Sequence, residues 1–279
     1  MLFIGKYNNL TVLRRTSVGL FLGDVEGEEV LLPNKYVTDT MQEDDELRVF
    51  VYKDSEDRPV ATTETPKVVR NEFACLKVKQ VTAVGAFLDW GLEKDLLVPF
   101  REQSRPMQEG EWHIIFLYLD HKTQRLSATA KWHKYTENDR LSVAEGDEVE
   151  VLVAETTELG VNVIVNQYHR GLIYHNELFR DLAYGDTVKG YVKRIREDNK
   201  LDISLEKQGY DSVEPNAQRI LAALRQNGGY LGLSDKSTPE AITHQLQMSK
   251  KLFKKAIGGL YRQGVIRIEE DGIRLVAEE

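Results

Sequence analysis

The stretch GDTVKGYVKRIREDNKLDISLEK, Gly185 to Lys207, decides how the rest of the chain is read. A glycine-led turn enters a strand in which Val188, Gly190, Val192 and Ile195 are set against Lys189, Tyr191, Lys193 and Arg194. The polar turn Glu197-Asp198-Asn199 reverses the chain, and Leu201-Asp202-Ile203-Ser204 returns it. Apolar and polar residues alternating around a charged turn form the pattern of a β-hairpin with one buried face. The other face is basic, carrying Lys189, Lys193, Arg194, Arg196 and Lys200.

Working outward, the unit that this hairpin closes recurs. SVGLFLGDVEGEEVLLPNKYV (Ser17 to Val37), AVGAFLDWGLEKDLLVPFREQ (Ala83 to Gln103) and ELGVNVIVNQYHRGLIYHNEL (Glu158 to Leu178) each read as strand, turn, shorter apolar strand and polar connection. A glycine opens the second strand of every copy: Gly19, Gly85 and Gly160. A first strand precedes each copy, over Leu10 to Arg15, Phe73 to Val81 and Val149 to Thr156, and a two-strand ending follows. Five strands in about 65–75 residues describe a small Greek-key barrel of the oligonucleotide-binding type. Polar stretches mark the boundaries at TTETP (Thr62 to Pro66), KYTEND (Lys134 to Asp139) and QGYDSVEP (Gln208 to Pro215). The expected domains are therefore 1–63, 64–138 and 139–208, with a fourth over 209–279.

Past Pro215 the apolar period changes to about 3.6. Pro215 suits a first helical turn, and Ile220, Leu221 and Leu224 form a stripe ending before Asn227-Gly228-Gly229. Thr238 with Pro239 caps a second helix, and Ser249 opens a third, KKLFKKAIGGLYRQ. The hairpin VIRIEE-DG-IRLV follows, with the strong turn signal Asp271-Gly272. Three helices and a hairpin make a winged helix-turn-helix, whose third helix is the one usually presented to nucleic acid. Gly258 and Gly259 cost that helix about 1 kcal/mol each relative to alanine; close packing against a neighbour is the expected reason.

The barrels resemble S1 RNA-binding domains. The closing hairpin of the third, and VGAFLDWGLEKDLLVPF of the second, follow the S1 patterns of a G-x-x-V strand ending in Ile-Ser and of G-A-F before G-L-V-H. Three such barrels ahead of a winged helix, with M-S-K-K-x-F-K-K-A-I-G-x-L-Y in the third helix (Met248 to Tyr261), resemble the conserved virulence factor B family, or YitL-like proteins. The resemblance implies RNA binding. It also implies a binding face built from the second and third strands and the final hairpin. By motif position it puts Phe21, Phe87 and Asn162 at the aromatic site of the second strand. It puts Leu32, Val98 and Tyr174 at the histidine site of the third, with His175 beside Tyr174. Arg58, Arg125 and Lys200 take the arginine of the closing strand, and Asp120 the acidic turn of the second copy. No copy retains the whole set, and whether Phe21 and Phe87 face outward or into the core stays open at this point.

Composition bounds the function. The chain has 279 residues, 41% apolar and 29% charged, with one cysteine, Cys75, so no internal disulfide is available. No apolar run reaches about 18 residues, and the N-terminal stretch lacks a signal-peptide pattern, so a cytoplasmic protein is expected. The net charge of −8 is unevenly spread: −5 over 1–63, +1 over 64–138, −5 over 139–208 and +1 over 209–279. Local potential governs phosphate contact more than the total, and tight non-specific duplex binding is not expected.

Single-stranded RNA is held by ring faces for bases and cations for phosphates. The residues expected to do this are Phe87, Asp120 and Arg125 in the second barrel, and Tyr174, His175, Lys189, Tyr191, Lys193, Arg194, Arg196 and Lys200 in the third. Lys250, Lys251, Lys254 and Lys255 at the start of the third helix complete the set. The third barrel and winged helix are expected to carry most of the grip. No phosphate loop, nucleophile elbow, zinc motif or metal-ligand spacing is found, so neither an enzyme nor a cofactor is expected. Single-stranded RNA is the expected partner, with the ribosome or RNA-associated proteins as further candidates. A protein-interaction adaptor, a winged-helix DNA binder and a nuclease remain alternatives.

Overall fold

The computed structural model describes residues 1–175, 178, 181–205 and 215–276, in two compact units, Met1–Leu205 and Glu206–Glu279. The expected boundary at Gln208 to Pro215 lies, as far as Glu214, outside the described residues, as do Asn176 and Glu177 of the third repeat.

The first unit repeats five strands three times. The first barrel is β1 (Lys6–Arg15), β2 (Gly19–Gly23), β3 (Glu29–Pro33), β4 (Glu46–Lys53) and β5 (Pro59–Thr62), closed in the order β1-β2-β3-β5-β4. The second is β6 (Phe73–Thr82), β7 (Gly85–Asp89), β8 (Leu96–Pro99), β9 (Trp112–Asp120) and β10 (Arg125–Thr129). The third is β11 (Glu148–Thr156), β12 (Gly160–Val165), β13 (His169–Tyr174), β14 (Thr187–Ile195) and β15 (Leu201–Ser204), closed as the first is. The middle repeat differs: its ladder runs β10-β9-β6-β7-β8 and stays open between β8 and β10. A side chain crosses there instead, with the Ser127 hydroxyl 3.4 Å from the Leu97 carbonyl to which it donates.

The recurring glycine has a steric cause. Gly19, Gly85 and Gly160 stand opposite Pro33, Pro99 and Tyr174 in the ladder. A Cβ at any of the three would enter the carbonyl oxygen of Leu32, Val98 or Ile173, so the strand approaches its neighbour more closely than a side chain permits. A second shared device is a bulge in each opening strand, at Val12/Arg14, Val78/Gln80 and Val153/Glu155. It bends one long strand so that it pairs with β-neighbours on both sides of the barrel.

The strands also carry runs buried on both faces. Val49-Phe50-Val51-Tyr52 is buried throughout. Val49 and Val51 fill the first barrel with Leu10, Val12 and Leu22, whereas Phe50 and Tyr52 belong to the core shared with the second barrel. Their rings meet Trp90 edge-on, with centroids 5.8 and 6.1 Å away. Phe73, Ile114, Phe116 and Trp132 join Leu152, Ala154 and Ile164 of the third barrel in the same way. The Phe73 amide donates to Gln167 Oε1 (2.6 Å) and the Ile114 amide to the Tyr184 hydroxyl (2.7 Å). The stretches that read as polar linkers are thus partly packed: Thr62, Pro66 and Thr136 are buried, while Thr63, Glu64 and Thr65 stay exposed.

The second unit holds α1 (Pro215–Gln226), β16 (Tyr230–Leu231), α2 (Pro239–Leu246), α3 (Lys250–Arg262), β17 (Ile266–Ile268) and β18 (Ile273–Leu275). Thr238 and Ser249 accept the amides of Ala241 and Leu252, each at 3.3 Å, and so cap α2 and α3. Ile220, Leu224, Ile242, Leu246, Phe253, Ile257 and Leu260 form its core. The two-residue strand β16 carries no sequence period, yet it completes a sheet ordered β16-β18-β17. Gly258 and Gly259 contradict the expected close packing: a Cβ at either position would meet nothing within 4 Å.

Candidate nucleic-acid interface

In the second barrel Ala86, Leu88, Leu96 and Val98 point into the core, so Phe87 and its ladder partner Leu97 point out. They line a cleft of about 400 Å³ together with Arg125 and, from the first barrel, Tyr52, Lys53 and Asp57. The Arg125 guanidinium pairs with Asp57 and holds its carboxyl below the usual carboxylate range. Asp57 is held at φ +65° in its turn, and its Oδ1 is buried without a hydrogen-bond partner among the described residues. An acceptor left in this state carries a desolvation cost that the turn must offset. Lys94, also in the cleft, donates to the carbonyls of Lys53 (3.2 Å) and Asp54 (2.7 Å), and burial pushes its ammonium down. Phe87 and Arg125 are therefore brought together, as the motif positions implied. Asp120 is not with them. It accepts the amides of Lys122 (2.8 Å) and Thr123 (3.1 Å), which stabilise its anion and fix the β9–β10 turn, and it borders another cleft beside Arg101 and Tyr118.

The first barrel keeps Phe21 outward, but the Arg14 guanidinium covers its ring at 4.3 Å and is itself bound to Glu29. Arg58 is held by Asp54 (2.7 Å) and Glu56 (2.9 Å).

In the third barrel the ladder corrects one equivalence. Tyr174 stands opposite Gly160, so its counterparts are Pro33 and Pro99, and Leu32 and Val98 correspond instead to the buried Ile173. One residue of offset moves a side chain to the other face. Arg196 lies over the Tyr174 ring, donates to its hydroxyl and pairs with Asp202 at 2.6 Å. His175 is exposed, with Nε2 donating to the Thr157 carbonyl at 2.8 Å.

The hairpin is also less positive than its sequence. Lys189 binds Glu148 (2.7 Å), Tyr191 donates to the same carboxylate (3.2 Å), and Lys200 binds Asp198 (2.7 Å). Arg196 pairs with Asp202, so Lys189, Arg196 and Lys200 are each matched by a carboxylate. The basic face read from the hairpin is largely compensated, because strand pairing brings Glu148 opposite Tyr191 from about forty residues away. Lys193 is partly covered and Arg194 is exposed, beyond a bulge at Val192/Arg194.

On α3, Phe253, Ala256, Ile257 and Leu260 face the core, leaving Lys251, Lys254 and Lys255 exposed and Lys250 half-buried. Lys254 stands 3.9 Å from Asp235. Sequence reading missed Asp57 and Lys94: each comes from a turn with no motif, Lys94 from the β7–β8 turn of the same barrel and Asp57 from the first barrel, brought to Phe87 only by the packing of the two.

Two family models match. One for the S1 domain covers residues 4–64 and 72–131, and one for the CvfB-like winged helix domain covers residues 218–275. Neither match includes the third barrel. The chain is 30% identical over 276 residues to the uncharacterized protein YitL of Bacillus subtilis, spanning 96% of this chain and 92% of that one. It is 26% identical over 286 residues to conserved virulence factor B of Staphylococcus aureus, spanning 98% and 94%. A crystal structure of a multidomain protein with nucleic acid binding domains from Streptococcus pneumoniae is similar at a TM-score of 0.42 and 24% identity, over 98% of both chains.

Proposed function

Since the chain belongs to the family of conserved virulence factor B and YitL-like proteins, we propose that it binds single-stranded RNA without chemically altering it and acts in post-transcriptional regulation. S1 barrels and winged helices are both nucleic-acid-binding modules. The observation that carries the reading is the cleft of the second barrel, lined by an outward Phe87 beside the Arg125–Asp57 ion pair. A base stacks on the phenylalanine, a phosphate takes the arginine in exchange for its ion pair, and the Asp57 oxygen so released accepts from an amino or ribose hydroxyl group. Tyr174, His175 and Arg194 form a second contact on the third barrel with Lys193, while Lys189, Tyr191, Arg196 and Lys200 join it by exchanging their carboxylates. Lys250, Lys251, Lys254 and Lys255 supply a phosphate contact on the winged helix. Because Phe87 lines an open cleft whereas Arg196 lies over the Tyr174 ring, the second barrel carries more of the grip than the third.

Ultraviolet crosslinking of the full chain to single-stranded RNA, followed by peptide mapping, tests this. The expected adducts fall on peptides containing Phe87 and Tyr174. RNA-free peptides throughout, or adducts only with duplex DNA, would overturn the reading.

A further inference from the structure

A second cleft, of about 520 Å³, opens where the second and third barrels meet. Its volume lies within the range of ligand sites. The second barrel contributes Trp112, Trp132, His133 and Lys134, and the third contributes Glu155 and Tyr184. Trp112 is 52% exposed and Tyr184 49% exposed, an unusual state for two large rings in one place. The rings beside Trp112 are fixed. Tyr184 is anchored through its hydroxyl to the Ile114 amide, 2.7 Å away. Trp132 is 7% exposed and forms the floor, with the His133 ring on it at 3.6 Å between centroids.

The charge around these rings is positive on balance. Lys131 donates to the Arg101 carbonyl and Arg105 is committed to Glu111 at 3.0 Å. Lys134 is exposed and has no ion-pair partner among the described residues. Glu155 is the acid of the cleft, 3.2 Å from the Asn162 amide that donates to it. Solvent-facing rings beside cations, with Tyr184 anchored by its hydroxyl, suit bases and phosphates.

We propose that this junction is a second RNA-binding site, in which a base of the single strand stacks on Trp112 and its phosphates lie towards Lys131 and Lys134. The inference rests on the RNA-binding reading above and adds a site outside the strand-and-hairpin face of any single barrel. It makes the junction of two barrels, rather than either barrel alone, a recognition element.

Tryptophan emission reads the site directly. Of the three tryptophans, Trp90 and Trp132 are buried and Trp112 is open. The full chain is titrated with unlabelled single-stranded RNA of about 16 nucleotides, the upper site size of one such barrel. Affinity is measured in parallel by anisotropy of the labelled strand. Saturation is expected to quench the wild-type emission. Trp112→Phe should keep the affinity and lose most of the quench, while Trp112→Ala should weaken binding about 5- to 150-fold. Lys134→Glu, which touches no packing, should also weaken binding and serves as the check on folding. If RNA binds with unchanged emission, and Trp112→Ala and Lys134→Glu bind as wild type does, the junction site is wrong and the broader reading stands. If wild type binds no RNA, both fall.

Discussion

At the scale of single residues, the three strand-opening glycines are explained by a carbonyl oxygen, not by flexibility. Gly85→Ala is expected to cost more than about 1 kcal/mol, because the new methyl would enter the Val98 carbonyl at φ +151°. Gly258→Ala is expected to stabilise by up to about 1 kcal/mol, because the space beside it is open. Urea unfolding of the two variants measures both; equal and small effects would contradict the steric account. The same scale shows where sequence reading reached and where it stopped. That Phe87 and Arg125 belong to one face was legible from motif position; that Phe87 points outward was not, and the ladder decides it. Nor was the state of the hairpin cations legible, because Glu148 and Asp202 acquire their partners only when the strands pair. The one-residue misalignment of Tyr174 has the same origin: an apolar run with no polar residue to fix its parity gives no register.

At the scale of elements, alternation identified the strands and helical period identified α1, α2 and α3, with the caps at Thr238 and Ser249 where the sequence put them. What alternation could not deliver was the meaning of its own failure. The runs VFVY, IIFL and VLVA break the two-residue period because both faces are covered, and they are the surfaces by which one barrel packs on the next. The open ladder between β8 and β10, and the two-residue β16, are tertiary features with no local signature. Phe50→Ala removes a ring that is fully buried against the second barrel, and is expected to cost about 3–5 kcal/mol. It should also expose the Thr63 to Thr65 stretch to limited proteolysis. A variant as stable and as resistant as wild type would mean that the barrels are independent beads.

At the scale of the whole molecule, a net charge of −8 and compensated hairpin cations exclude a design based on bulk positive charge. In the proposed reading, recognition is concentrated instead where barrels meet, at outward rings beside a few cations. Binding of this kind depends on stacking as much as on salt, so its logarithmic salt slope should be shallow, near −0.7 for each of the few phosphates contacted. The most direct test of this account is the affinity of the full chain for a labelled single-stranded RNA, measured by anisotropy at several salt concentrations for wild type and for Phe87→Ala. The account predicts measurable wild-type binding with a shallow slope, and a loss of about 1–3 kcal/mol on removing the phenylalanine ring. No binding at low salt, or a Phe87→Ala protein that binds as tightly as wild type, would contradict it.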